Sequence, residues 1–209
     1  MGIMEVNGLW LPDHETHLQK FAALGEPGRW TYQKNKLDCA MQYVTNFRVA
    51  IDVGGHCGLW SKELVELFEK VIAFEPIEEH RECFVKNVVG NYELMPVALG
   101  DEPKKVAMHT TPGSSGDSWV TGKGDIPMKT LDNYAFENVD FMKMDCEGYE
   151  LFVLRGAEKT IERCHPVVIV EQKPNRPKNF GLHKTGAVKW LTDRGYELKD
   201  VISGDYILV

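Results

Sequence analysis

Val49-Ala50-Ile51-Asp52-Val53-Gly54-Gly55-His56-Cys57-Gly58-Leu59-Trp60 is the stretch on which the reading of this chain turns. Residues 49–53 are apolar except for one acid and end at a glycine pair, the pattern of a central parallel strand buried on both faces. Gly54 and Gly55 permit a tight turn with positive φ and let a ligand approach the backbone closely. From Leu59 the spacing turns helical, with Leu59, Leu64, Leu67 and Phe68 near one face of a helix over 59–70. A strand, a glycine turn and a helix start together offer free backbone N–H groups and commonly bind a nucleotide-like ligand. The order Gly54, Gly55, Gly58 departs from the dinucleotide pattern G-x-G-x-x-G. Asp52 at the strand end would repel a pyrophosphate and suits a ligand with an ammonium group and ribose hydroxyls. The alternative is a plain tight turn with Asp52 bonded to backbone alone.

Working outward, residues 71–76 (Val-Ile-Ala-Phe-Glu-Pro) predict a second buried strand, ended by Pro76. Glu75 lies 21 residues beyond Gly54, the placement of an acid that accepts both ribose hydroxyls. A helix over 78–87 and a strand over 92–97 follow. Residues 104–110 alternate like a half-exposed strand, and 126–131 suggest a short one. Residues 111–125 are rich in Gly, Ser and Thr without a period. They are expected to form a mobile loop over the site, with Trp119 as a contact residue. Residues 139–145 predict another central strand, ending in Asp145 and followed by Cys146, Glu147 and Gly148. Ligands in open α/β sheets lie beyond the carboxyl ends of the strands, which places Asp145 and Glu147 near Gly54 and Glu75. Glu147 is equally suited to a helix start. Residues 165–171 form a fifth strand ending in Glu171. The segment 173–189 carries Lys173, Arg176, Lys178, His183, Lys184 and Lys189 with no acid, and is either a contact for an anionic substrate or a charged surface loop. A helix over 186–194 and a hairpin of 196–202 with 206–209 close the chain.

The 209 residues suit one α/β domain spanning 1–209, with an N-terminal helical addition over 1–48 and a core over 49–209. In the addition, 1–11 reads as a short apolar arm, Asp13 opens a helix ended by Gly25 and Pro27-Gly28, and 32–47 forms a second helix. A net charge of −7 does not imply wholesale nucleic-acid binding. The five cysteines, odd in number and without a C-x-x-C pair, exclude a disulfide framework and indicate a reducing, cytoplasmic compartment. No apolar run is long enough to span a membrane, and no metal-ligand spacing stands out.

These residues resemble the FkbM family of class I S-adenosylmethionine-dependent methyltransferases. The match is carried by residues 51–61, Ala73-Phe74-Glu75-Pro76, Val97-Ala98-Leu99-Gly100-Asp101, Lys129-Thr130-Leu131-Asp132, and above all Lys143-Met144-Asp145-Cys146-Glu147-Gly148-Tyr149-Glu150, followed by Leu154-Arg155-Gly156-Ala157. It covers roughly residues 49–172. The resemblance implies a Rossmann-like, doubly wound seven-stranded sheet, mostly parallel with a reversed last strand, with the N-terminal helices added. It implies O-methyl transfer from S-adenosylmethionine to a hydroxyl on a small molecule or sugar. It places Gly54, Gly55 and Gly58 by the methionine part of the cofactor, Asp52 by its amino group or ribose, Glu75 and Pro76 by the ribose, and Ala98 by the adenine. Asp145 would face the methyl group and the acceptor. The family usually has Ala at position 55 and Asn at 56, so the contact of that Asn is missing here. For a general base, the order of candidates is Asp145, His56, His109 and His183, with Glu147, Glu171, Lys173 and His183 toward the substrate. Three alternatives remain. Lys36, Asp145, Lys173 and Glu197 follow the order of the Lys-Asp-Lys-Glu set of RNA ribose 2′-O-methyltransferases. A nicotinamide oxidoreductase is opposed by the glycine spacing and Asp52. The last is a non-catalytic nucleoside-binding module.

Overall fold

A computed structural model describes residues 2–25 and 31–209. The expected helix end at Pro27-Gly28 lies outside the described residues. The centre of the molecule is a seven-stranded sheet built from β3 (Val49–Val53), β4 (Lys70–Phe74), β5 (Tyr92–Met95), β9 (Val139–Met144), β10 (Val167–Glu171), β11 (Leu198–Ile202) and β12 (Asp205–Leu208), in the order β11-β12-β10-β9-β3-β4-β5. β3 is parallel to both β4 and β9, β9 to β10, and β4 to β5, while β12 runs antiparallel to β10 and to β11. The sheet and its reversed strand are those expected from the resemblance.

The near-continuous apolar runs of the central strands follow from burial on both faces. Ile51, Phe74, Met142 and Val168 pack on one side with α5 (Glu150–Arg155), α6 (Glu158–Cys164) and α7 (Gly186–Thr192). Ala50, Val71, Phe141 and Ile169 pack on the other with α2 (Lys34–Met41) and α3 (Leu59–Leu64). The chain reverses direction across the sheet between β3 and β9, and the crevice beyond their carboxyl ends is where such sheets bind ligands.

Three local expectations are corrected. Residues 3–12 are a hairpin of β1 (Ile3–Val6) and β2 (Leu9–Pro12), not a loose arm. Asn7 and Gly8, at φ 50° and 82°, supply the two-residue turn that Asn-Gly favours. Asn87 of α4 (Glu78–Asn87) fastens this hairpin through both backbone groups of Trp10, each at 2.8 Å. The expected loop over 111–125 is mostly strand: β8 (Ser114–Lys129) pairs antiparallel with β7 (Lys104–Thr111) and parallel with the short β6 (Ala98–Leu99). Its lack of period reflects its place, because most of its side chains are half-buried or exposed and only Ser115 and Met128 are buried. The helices expected over 13–24, 32–47 and 59–70 are shorter, with α1 at His17–Leu24, α2 at Lys34–Met41 and α3 at Leu59–Leu64.

Phe141 is fully buried in a central strand and stacks on Phe68 with ring centroids 5.9 Å apart. Phe141→Ala is expected to cost about 3–5 kcal/mol of stability, read as a lower urea midpoint with an unchanged slope. A midpoint within error of the parent's contradicts this placement of the core.

Candidate functional site

A cavity of about 340 Å³ opens beyond the carboxyl ends of β3, β4, β9 and β10. It brings together Gly54, Gly55, His56, Glu75, Pro76 and Ala98 at one end. Asp145, Glu147, Glu171 and Lys173 line it as well. Asp52, Gly58, His109 and His183, expected from the sequence, do not line it.

The glycine turn is shaped by close approach. Gly54 has φ +79°, and a Cβ there would stand 2.1 Å from the carbonyl oxygen of Asp145. A Cβ on Gly55 would meet Phe84 at 3.3 Å and Ala73 at 3.4 Å. Three amides of this turn are already taken, which limits the free N–H groups expected here. Those of Gly54 and Gly55 both donate to the Phe74 carbonyl at 3.0 Å, and that of His56 donates to Glu75 Oε2 at 2.8 Å. Gly58, at φ +83°, has its amide on the Gly55 carbonyl and starts α3 rather than reaching the cavity.

Asp52 is also redirected. It is fully buried, accepts a hydrogen bond from Ser61 Oγ at 2.7 Å, and lies 3.4 Å from Lys143 Nζ. Lys143 stands opposite it in the β3–β9 register, donates to the Gly54 carbonyl at 3.1 Å and lines the cavity. Asp52 therefore reaches the cavity through this lysine. Burial opposes the charge of Lys143, but Asp52 and Asp145 outweigh it and hold the ammonium well above the usual lysine range. Lys143 was absent from the expected site, although a lysine inside the apolar run of residues 139–144 was a visible signal.

Glu75 is buried, accepts the amide of Ile77 at 2.8 Å and lies 3.3 Å from His80 Nδ1. Burial opposes its charge, yet His80 and these donors hold the carboxyl below its ordinary value. His56, at φ +48°, is kept neutral by burial first and His80 second. Its Nε2 lies 2.8 Å from Ser115 Oγ, which donates to Glu15 Oε2 at 2.6 Å. Nε2 is thus the donor in this contact and is not free to take a proton. The same Glu15 accepts the amides of His17 and Leu18, so the start of α1, the β7–β8 hairpin and the glycine turn share one buried network.

At the other end Glu147 and Gly148 adopt positive φ, +52° and +101°. Glu150 holds this turn: its Oε1 accepts the amides of Cys146 and Gly148, both at 3.0 Å, and its Oε2 accepts Gln172 Nε2 at 3.3 Å. Lys173 bonds Glu147 and lies 3.1 Å from Glu171 Oε2. Arg176 joins Glu147 at 3.0 Å to Asp117 of β8 at 2.8 Å. Trp119 packs against His109 and Arg176 rather than lining the cavity. Lys36 is buried against Asp205, and exposed Glu197 pairs with Lys199, so only Asp145 and Lys173 of the Lys-Asp-Lys-Glu series line the cavity. His183 is exposed and bonded to Thr185.

The methyltransferase FkbM domain model matches residues 52–198. The chain belongs to the FkbM methyltransferase family. No curated protein matches it in sequence. Among solved structures, the FkbM methyltransferase of Methylobacillus flagellatus KT is similar in fold (TM-score 0.55, 16% identity, 78% of this chain). This chain spans 44% of the length of that protein. A methyltransferase of Streptococcus mutans in complex with SAH (S-adenosylhomocysteine) has TM-score 0.52 and 13% identity over 84% of this chain and 94% of its own. An rRNA methylase of Streptococcus thermophilus has TM-score 0.51 and 13% identity over 83% and 92%. Among the described residues no helix is long and apolar enough to cross a membrane.

The carboxyl ends of the strands leave a testable imprint on stability. Burial first, and the Asp145 carboxylate second, push Glu171 up to about 9 from 4.5. The folded chain thus keeps a proton that the unfolded chain has released. This contribution is complete below about pH 4.5 and is lost as pH rises toward 9. Between pH 7.5 and 8.5 the parent is expected to lose stability faster than Glu171→Gln, by up to about 1 kcal/mol per pH unit. Parallel slopes in urea titrations of the two proteins contradict it.

Proposed function

We propose that this FkbM-family methyltransferase methylates a hydroxyl oxygen of a small molecule or sugar, with Asp145 receiving the proton. S-adenosylmethionine is its cofactor. The residues present fit that group: Gly54 leaves no room for a side chain where the turn meets the Asp145 carbonyl, and the anionic Glu75 lines the cavity beside it to receive ribose hydroxyls. Gly54, Gly55, Glu75, Pro76 and Ala98 would hold it. When bound, the cofactor supplies a methyl group on a positively charged sulfur.

The observation that carries the reading is Asp145. Its carboxylate lines the same cavity, and although burial opposes its charge, Lys143 and Lys173 hold its carboxyl below the ordinary value. It is therefore an anion at neutral pH, able to accept a proton from a hydroxyl placed against it. Such an anion also favours the cofactor's positive charge electrostatically. The chain's main contribution is orientation, since fixing an acceptor oxygen in the cavity replaces a bimolecular encounter. Only two members of the Lys-Asp-Lys-Glu series line the cavity, which leaves RNA ribose methylation without a specific support.

The test is transfer of label from methyl-tritiated S-adenosylmethionine to a panel of sugars, polyols and phenols. Asp145→Asn is expected to lower transfer by about 100-fold or more, with binding of S-adenosylhomocysteine retained. Equal transfer by both proteins removes the role of Asp145. Binding without transfer to any hydroxyl on the panel supports a nucleoside-binding module instead.

A further inference from the structure

The acceptor end of the cavity carries more acid than its lining needs for orientation alone. Carboxylate oxygens of Asp145, Glu147 and Glu171 all lie within 4.8 Å of one another. That is the spacing of oxygen ligands around one small hard cation. An ammonium already stands against two of them: Lys173 Nζ bonds Glu147 Oε1, lies 3.1 Å from Glu171 Oε2, and lies 3.9 Å from Asp117 Oδ1. The Arg176 Nε lies 3.0 Å from the second oxygen of Glu147. Glu147 and Glu171 are only 3% and 8% exposed, so neither can carry an unbalanced charge: Lys173 and Arg176 balance Glu147, and Glu171 keeps its proton.

Lysine is the compact, point-like cation of the two basic side chains. Its ammonium has three hydrogens. One is donated to Glu147, Glu171 Oε2 stands 3.1 Å away without completing a hydrogen bond, and no other acceptor lies within hydrogen-bond distance among the described residues. Lys173 also lines the cavity. A divalent ion entering this seat would have to displace the ammonium and then face Arg176 across Glu147.

We propose that Lys173 is the resident cation of the acceptor end, seated against Glu147 and Glu171 in the acid cluster they form with Asp145, where a divalent ion would otherwise bind, so that a neutral acceptor hydroxyl is met by an ammonium N–H. This rests on the methyl-transfer reading above for the identity of the acceptor. The seat itself is a property of the chain.

The experiment is a Mn²⁺ titration of the cofactor-free protein, with free ion followed by electron paramagnetic resonance. Lys173→Ala is expected to bind one Mn²⁺ per chain at least about tenfold more tightly than the parent, because removing the ammonium opens the Asp145, Glu147 and Glu171 oxygens to the ion, whose binding releases the Glu171 proton. Adding Glu171→Gln to that variant is expected to abolish the gain. Lys173→Met keeps the stem and serves if the alanine variant does not fold, with circular dichroism as the check on folding. A parent that binds Mn²⁺ as tightly as the variants overturns the proposal. So do folded variants that bind no more tightly than the parent. Failure of the methyl-transfer reading appears separately, as absent label transfer by the parent, and leaves the Mn²⁺ comparison to decide this point.

Discussion

The buried contact between Lys143 and Asp52 is the constraint on which the site depends. It joins the two central strands, β3 and β9, at the place where the chain reverses its direction across the sheet. Two opposite charges in a nearly water-free interior are tolerable only when each is paired and hydrogen-bonded. Ser61 completes Asp52, and the Gly54 carbonyl completes Lys143. The contact thereby fixes the glycine turn against the end of β9, where Gly54 and the Asp145 carbonyl approach too closely for any side chain. It also places a permanent positive charge in the cavity wall. That charge favours the anionic form of Asp145 two residues further on.

Around this floor the walls come from segments distant in sequence. Glu15 before α1 and Ser115 of β8 close the side next to His56, and Asp117 of β8 reaches Arg176 beyond β10. The hairpin β7–β8, whose Val106 and Met128 join the main core, is thus also tied at the cavity by ionic and hydrogen-bonded contacts. Glu150 does comparable work from below. It converts the strained turn at Glu147 and Gly148 into a fixed support for Asp145, using backbone donors that would otherwise be buried without partners.

The central sheet was legible because burial on both faces imposes uninterrupted apolar runs, and the acids at Glu75, Asp145 and Glu171 mark where those runs stop. The gathering of these acids in one cavity follows from the parallel order of the strands, which the repeating strand–helix pattern already contains. Asp52 was misplaced for an instructive reason. Its position announces a buried carboxylate but not its partner, and Lys143 becomes its neighbour only through pairing of strands about ninety residues apart in sequence. His56 likewise carries no local sign that its ring is committed to Ser115. The hairpin at Asn7-Gly8 did have a local signal, in the favoured turn dipeptide. The part of β8 before residue 126 had none, since its composition is that of a loop and pairing with β7 holds it, whereas 126–129 reads as strand and seats Met128 in the core.

The central claim is that the crevice between β3 and β9 is built for S-adenosylmethionine and its product. Isothermal titration of the protein with S-adenosylhomocysteine, beside its Glu75→Ala variant and with NADH as the control ligand, tests it most directly. The account requires one product molecule per chain bound by the parent, a loss of about tenfold or more in affinity in the variant, as expected when a charged acceptor of hydrogen bonds is removed, and no binding of NADH. Heat exchange with NADH alone, or product affinity unaffected by the loss of Glu75, would contradict it.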